Sequence, residues 1–247
     1  MNHTGTIIVT GASRGIGAHI ALALAAQGYT VACLSRRGEL PAGAVAGSAE
    51  LARCHPFACD VTDGDQLRAA FDQAAALGQP VVGLVNNAGV HLDGPSERFS
   101  LEDYNTVFDT NATSVFLACQ HAYPHLAAAG EALIVNIGSF FDKLGVKRNL
   151  AYCASKAAVG AMTRCLAVEW ASKGIRVMNI APGYIVTDLN RDSMEGPLKA
   201  YLEKRIPCGK PGSTGDIANL VAALYTATGL YLSGETIYVD GAQGVAH

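Results

Sequence analysis

Thr6-Ile7-Ile8-Val9-Thr10-Gly11-Ala12-Ser13-Arg14-Gly15-Ile16-Gly17 is the stretch whose reading decides the fold. Its first half is a short run rich in β-branched residues, the composition of a strand covered on both faces. Its second half places glycines at 11, 15 and 17 and leads into Gly15–Gln27, whose apolar pattern reads as a helix. A strand that turns through glycines into a helix N-terminus offers an anion unpaired N–H groups and a partial positive charge. The spacing is G-x-x-x-G-x-G. It is neither G-x-G-x-x-G nor a Walker loop, which needs Gly-Lys-Ser/Thr. Gly11, Ser13, Arg14, Gly15, Ile16 and Gly17 are therefore read as the pyrophosphate side of a dinucleotide site.

Outward from this turn the same rhythm repeats to the end of the chain. Candidate strands are Thr6–Val9, Thr30–Leu34, Pro56–Cys59, Val81–Val85, Ala132–Ile137, Arg176–Ile180 and Thr236–Val239. Candidate helices are Gly15–Gln27, Asp63–Leu77, Leu101–Asp109, Asn111–Leu126, Leu150–Ser172 and Thr214–Tyr225. An unbroken β-α-β alternation predicts one α/β domain over residues 1–247, a Rossmann-type doubly wound parallel sheet of about seven strands flanked by helices. Gly38–Ser48 reads as a loop or weak helix. The segment 184–212, with three prolines, interrupts the rhythm after a strand's C-terminal end and is read as a substrate loop or lid.

Composition narrows the function. Half of the 247 residues are apolar, and 18 basic against 21 acidic residues leave a net charge of −3. No basic excess serves a phosphate backbone, so nucleic-acid binding is not expected. The longest apolar run, Ile20–Leu34, is broken by Gln27 and Gly28, short of the ~20 residues of a membrane span. Met1–Gly5 carries no basic leader region. Seven cysteines without a C-x-x-C spacing point to free thiols and a cytoplasmic location. No metal site is expected. His121 and His125 share a helical spacing but lack the inner Glu of a zinc motif, and Cys54, His55 and Cys59 have no second ligand pair.

The second strand ends in Ser35-Arg36-Arg37, with no carboxylate where a ribose diol would be held. Arginines there, with Arg14 from the glycine turn, suit a 2′-phosphate. This favours NADP(H) over NAD(H), with Glu39 as a counter-signal. Tyr152 and Lys156 share one face of a helix, and a nearby ammonium lowers a phenol's pKa from ~10. Ser139 follows a strand end and faces the same crevice, placed to hydrogen-bond a substrate oxygen.

In this order the motifs resemble the short-chain dehydrogenase/reductase family over essentially the whole chain, to Asp240-Gly241. The family's glycine motif falls on Thr10 to Gly17, its N-N-A-G on Asn86-Asn87-Ala88-Gly89, and its Pro-Gly and threonine on Pro182, Gly183 and Thr187. The resemblance implies a catalytic set of Asn111, Ser139, Tyr152 and Lys156. Tyr152 would be the general acid or base, Lys156 would lower its pKa and hold the nicotinamide ribose, Ser139 would polarise the carbonyl, and Asn111 would anchor a water. It also implies that Asp60 and Val61 meet the adenine, and that Asn87, Ile185 and Thr187 line the nicotinamide half. The groups it is most similar to are 3-oxoacyl-[acyl-carrier-protein] reductases and gluconate or deoxygluconate dehydrogenases. Expected substrates are thus a 3-oxoacyl thioester or similar ketone, or alternatively a sugar acid or polyol. A nucleotide-sensing module without turnover is the alternative of another class. Lys143, Lys147 and Arg148 beside the tyrosine raise the expectation of an anionic substrate. The helices Asn111–Leu126 and Ala154–Trp170 resemble those that pair family members into homodimers and homotetramers. His91, after the N-N-A-G turn, reads as a plain loop histidine, with contact to substrate as the alternative.

Overall fold

Every residue of Thr6–Thr10, strand β1, is buried, and β1 lies near the middle of a seven-stranded sheet. The computed structural model describes residues 4–227 and 231–246; residues 1–3, which belong to the leader reading, lie outside them. After β1 come α1 (Gly15–Ala26), β2 (Thr30–Ser35), α2 (Ala49–Ala52), β3 (Cys54–Ala58), α3 (Gly64–Ala75) and β4 (Val81–Asn86). Then follow α4 (Leu101–Phe108), α5 (Ser114–Ala129), β5 (Ala132–Ile137), α6 (Leu150–Trp170) and β6 (Ile175–Pro182). The chain closes with β7 (Ile185–Val186), α7 (Arg191–Met194), α8 (Lys199–Arg205), β8 (Gly212–Ser213), α9 (Thr214–Thr226) and β9 (Thr236–Val239).

The strand order is β3-β2-β1-β4-β5-β6-β9, and every pairing is parallel. The order reverses between β1 and β4, which opens a crevice outside the strands' carboxyl ends. Alternation along β1 sends Ile7 and Val9 to one face, where they meet Ile20 and Leu24 of α1 and Ile217 and Val221 of α9. Ile8 points to the other, among Leu67 and Phe71 of α3, Val115 and Leu126 of α5 and Val159 of α6. Each fully buried side chain of this size contributes about 1.5–3 kcal/mol.

Three local departures from the periodicity have physical causes. β3 starts at Cys54, two residues early, and tolerates Pro56 because it is an edge strand. The two helices expected on either side of Thr110 are one, joined by a wide π-turn over Asp109–Thr113 that buries Asn111. Neither glycine nor proline stands there to stop the helix. Segment 184–212 contains α7 and α8 and is tied at both ends by the β7–β8 pair, Ile185 to Gly212 and Val186 to Ser213. Gly38–Ser48 carries no helix, and Ala42 N donates to Ser13 O at 2.9 Å, so this loop leans on the glycine turn. Among the described residues no helix is long and apolar enough to cross a membrane.

Candidate active site

The glycine turn is locked to the end of β4. Asn87 Nδ2 donates to Thr10 O at 3.0 Å and to Gly11 O at 3.1 Å, and the N–H groups of Asn87 and Ala88 both donate to Thr10 Oγ1. A Cβ on Gly17 would lie 2.2 Å from the Gly11 oxygen and 2.4 Å from Asn87 Nδ2, so only glycine lets the helix start this close. Gly15 is in the left-handed region, and a Cβ there would meet nothing nearer than Thr187 at 3.8 Å. That gap is a cradle between the turn and Thr187, just after β7. The N-terminus of α1 has no side-chain cap and no acidic residue in its first turn, so the N–H groups beside Ile16 are left for an anion. These features fit a dinucleotide's pyrophosphate.

At the end of β2, Ser35 Oγ accepts from Glu39 N at 3.1 Å. Arg37 is paired to Glu39 at 3.0 Å, so the carboxylate neutralises one arginine. Arg36 and Arg14 are exposed and have no ion-pair partner among the described residues. Asp60 spends its carboxylate on Thr62 N and Oγ1, while Val61 is buried beside it. On the far bank Pro182 ends β6, Gly183 N donates to Val239 O, and buried Ile185 pairs with Gly212. Thr187 N donates to Asn190 Oδ1 at 2.7 Å, and Asn190 Nδ2 returns to Ile185 O. Asn190 therefore shapes this loop, a role no spacing in the sequence marks.

The candidate catalytic residues converge. Tyr152 and Lys156 lie one turn apart at the start of α6, and the Ser139 side chain stands beside the Tyr152 phenol, where it favours the ionised form. Lys156 Nζ donates to Ile137 O at 2.8 Å and stands 5.9 Å from the Tyr152 ring centroid. A Cβ on Gly89 would fall 3.3 Å from Asn111 Oδ1 and 3.7 Å from Lys156 Nζ, so the N-N-A-G turn faces these same groups. Burial pulls the Lys156 ammonium down to about 8. Burial also pushes the Tyr152 phenol above its ordinary value, and the Ser139 side chain opposes it. The expected lowering of the phenol by Lys156 is thus not what dominates here.

The Asn111 side chain ties two segments together. Its Nδ2 gives one hydrogen to Val90 O (2.9 Å) and the other to Ser155 Oγ (3.1 Å), and its Oδ1 accepts from Val90 N (2.8 Å). Ser155 in turn donates to Tyr152 O at 2.8 Å. The side chain is a clamp between the 90-loop and α6, with both donors committed.

The basic loop is dispersed rather than focused. Lys143 Nζ lies 3.6 Å over the Tyr238 ring, and Arg148 Nε pairs with Asp93 at 2.8 Å. Lys147 is exposed and has no partner among the described residues. Instead the tyrosine is walled by aromatic rings. His91 packs edge-on at 4.8 Å and Phe141 at 6.0 Å, with Tyr184 6.3 Å from Phe141 and 5.5 Å from Phe140. His91 and Tyr184 stand far from Tyr152 in sequence, and only the position of His91 after the N-N-A-G turn pointed to it. Among the described residues no three His, Cys, Asp or Glu side chains gather to hold a metal. All seven cysteines are free, and His121 lies against Phe71.

Residues 11–243 match the family model described as Enoyl-(Acyl carrier protein) reductase. A D-threitol dehydrogenase of Mycolicibacterium smegmatis is 35% identical over 95% of this chain and 90% of its own length. A 3-oxoacyl-[acyl-carrier-protein] reductase of Staphylococcus aureus is 36% identical over 98% of both chains. The crystal structure of a gluconate 5-dehydrogenase from Burkholderia cenocepacia, in complex with NADP and tartrate, superimposes with a TM-score of 0.87 at 29% identity, covering 98% of this chain and 96% of that one. With its parallel sheet, its glycine turn and these likenesses along nearly its full length, the chain belongs to the short-chain dehydrogenase/reductase family of oxidoreductases, which bind a nicotinamide cofactor.

Proposed function

We propose that this protein is an NADP(H)-dependent oxidoreductase that interconverts a ketone and a secondary alcohol. The observation that carries this reading is the Tyr152 phenol beside the Ser139 side chain, with the Lys156 ammonium one helical turn behind it and the glycine turn across the crevice. Gly11 to Gly17, Asn87 to Gly89 and Thr187 would hold the cofactor's pyrophosphate and nicotinamide half. Arg36 and Arg14, left free of carboxylates, would hold a 2′-phosphate, which supports NADP(H) over NAD(H). When bound, the reduced nicotinamide supplies the hydride. In reduction Tyr152 Oη gives the carbonyl oxygen its proton while Ser139 Oγ donates a hydrogen bond to the same oxygen. One ketone, one NADPH and one proton become one alcohol and one NADP⁺. The Asn111 side chain positions Val90 and α6, and a relay water would be anchored at this residue.

The substrate reading is a 3-oxoacyl thioester or a similar neutral ketone, with a polyol or sugar acid as the second class. The engagement of Arg148 and Lys143 supports a neutral reacting end and weakens the anionic one. Segment 184–212, which brings Tyr184 to the aromatic wall, acts as the substrate loop. Exposed Leu101, Phe116, Leu150 and Val168 on α4, α5 and α6 support a homodimer or homotetramer, and seven free thiols support a cytoplasmic setting. The test is NADPH oxidation with an acetoacetyl thioester, with Tyr152→Phe as the blank. Tyr152-dependent turnover is the expected result. Full activity of Tyr152→Phe would overturn the role of Tyr152 as proton donor, and NADPH binding without turnover of thioester, ketone, polyol or sugar acid would leave the nucleotide-sensing module as the better reading.

A further inference from the structure

His91 is held from both sides. Its backbone follows Val90, whose N–H and C=O are both gripped by the Asn111 amide. Its ring stands edge-on to Tyr152 with centroids 4.8 Å apart, and its Nε2 is hydrogen-bonded to Asn149 Oδ1. Asn149 Nδ2 donates to Lys147 O at 2.9 Å, so the oxygen of that amide is the atom turned to His91. An amide oxygen only accepts, so Nε2 carries the hydrogen, and in the neutral ring Nδ1 is left as an acceptor. Nδ1 has no hydrogen-bond partner among the described residues, and the side chain is exposed at the crevice. The two loops that carry this pair are themselves joined: Arg148 pairs with Asp93 at 2.8 Å, and Gly94 N donates to Arg148 O at 2.9 Å. Arg148 holds a left-handed backbone (φ 68°) to make that connection. The site therefore presents a preorganised acceptor beside the catalytic tyrosine, at little ordering cost to a ligand.

The reacting oxygen already has its donors, Tyr152 and Ser139. What a fixed acceptor next to them can read is a second donor on the substrate. We propose that His91 is a specificity-determining residue that accepts a hydrogen bond from a hydroxyl on the carbon next to the reacting one, so that the preferred pair is an α-hydroxyketone and a vicinal diol. This rests on the ketone–alcohol reading above and narrows its substrate. A 3-oxoacyl thioester has only a methylene at that place and offers Nδ1 no donor.

The test compares kcat/KM of the full-length protein with NADPH for 3-hydroxybutan-2-one and for butan-2-one, which differ in that hydroxyl alone. The ratio of the two removes any general effect on Tyr152. His91→Phe keeps a ring against the tyrosine and removes the acceptor, and should lower the hydroxyketone-to-ketone ratio by about tenfold or more. His91→Asn, whose amide can place an oxygen where Nδ1 stood, should retain most of the preference. A ratio unchanged in His91→Phe overturns the inference. So does Tyr152-dependent turnover of acetoacetyl thioester with neither ketone accepted, which leaves the proposed function standing. Absence of Tyr152-dependent turnover with all three overturns the inference, and overturns the proposed function as well once polyols and sugar acids also fail in the oxidative direction.

Discussion

On the proposed cofactor side of the crevice, the groups that would face a ligand are backbone N–H groups and glycine α-carbons within residues 11–17, clamped by Asn87. On the proposed substrate side they are side chains drawn from separate stretches: His91, Ser139 and Phe141, Tyr152 and Lys156, and Tyr184. The first side is a backbone shape that any added carbon destroys. The second is a set of functional groups whose exchange alters what is recognised while the frame persists. A fold can thus keep one cofactor geometry and vary its chemistry at the opposite wall.

The strongest way to break this contrast is Tyr152→Phe. The ring contacts with His91 and Phe141 remain, so NADPH affinity should hold while turnover falls by roughly 10²–10⁴, about 3–5 kcal/mol of barrier. Initial rates and a fluorescence titration separate the two effects, and an unaffected rate would remove Tyr152 from the chemistry. Next is Gly17→Ala, whose methyl has nowhere to go between Gly11 O and the Asn87 amide. It should destabilise the fold by about 3 kcal/mol or more and abolish cofactor binding, as read by urea denaturation. Gly15→Ala has room for its methyl and only the backbone conformation to strain, so its loss of stability should be smaller, roughly 1–2 kcal/mol.

Lys156 sharpens the comparison on the substrate side. Its pKa is held near about 8 in the folded chain, whereas an unfolded lysine titrates near ~10.4. Between those values the unfolded chain binds more protons, so stability rises with pH. Relative to Lys156→Met, wild-type stability should gain on the order of 3 kcal/mol across that window and stay flat below it. Denaturation curves at a series of pH values would show a parallel course if Lys156 were solvated.

Arg36→Ala should weaken NADPH by about 10–100-fold, the loss of one charge-assisted contact, and leave NADH nearly untouched. Arg37→Ala should do less, because Glu39 already holds that guanidinium. Equal losses for both cofactors would place the arginines outside the 2′-phosphate site. The smallest effect is expected from Lys147→Ala, an exposed cation on a loop whose other charges are engaged. A raised KM for an anionic substrate would revive electrostatic steering.

Much of this site was legible before folding. The glycine turn follows its strand by local order alone, and Ser139, Tyr152 and Lys156 meet as their motif spacing implied. The π-turn at Asp109–Thr113 was not legible, because no breaker residue marks it and the helical pattern runs through. Nor was the engagement of Arg148 by Asp93, 55 residues apart, or of His91 by Asn149, 58 residues apart.

Periodicity, turn chemistry and charge balance are properties of neighbouring residues, and they were enough to determine the α/β class and the strand sequence, while the phosphate turn and the proton-moving residues came as expectations from the motifs and the resemblance they carry. Which cations are neutralised, which amide is spent as a clamp, and how deeply Lys156 and Tyr152 are desolvated depend on pairs of atoms brought together across the sheet's edge by loop packing. Coulomb attraction and burial act between such pairs and leave no trace in the local pattern, so the charge state and the recognition surface of this crevice emerge only with the assembled chain.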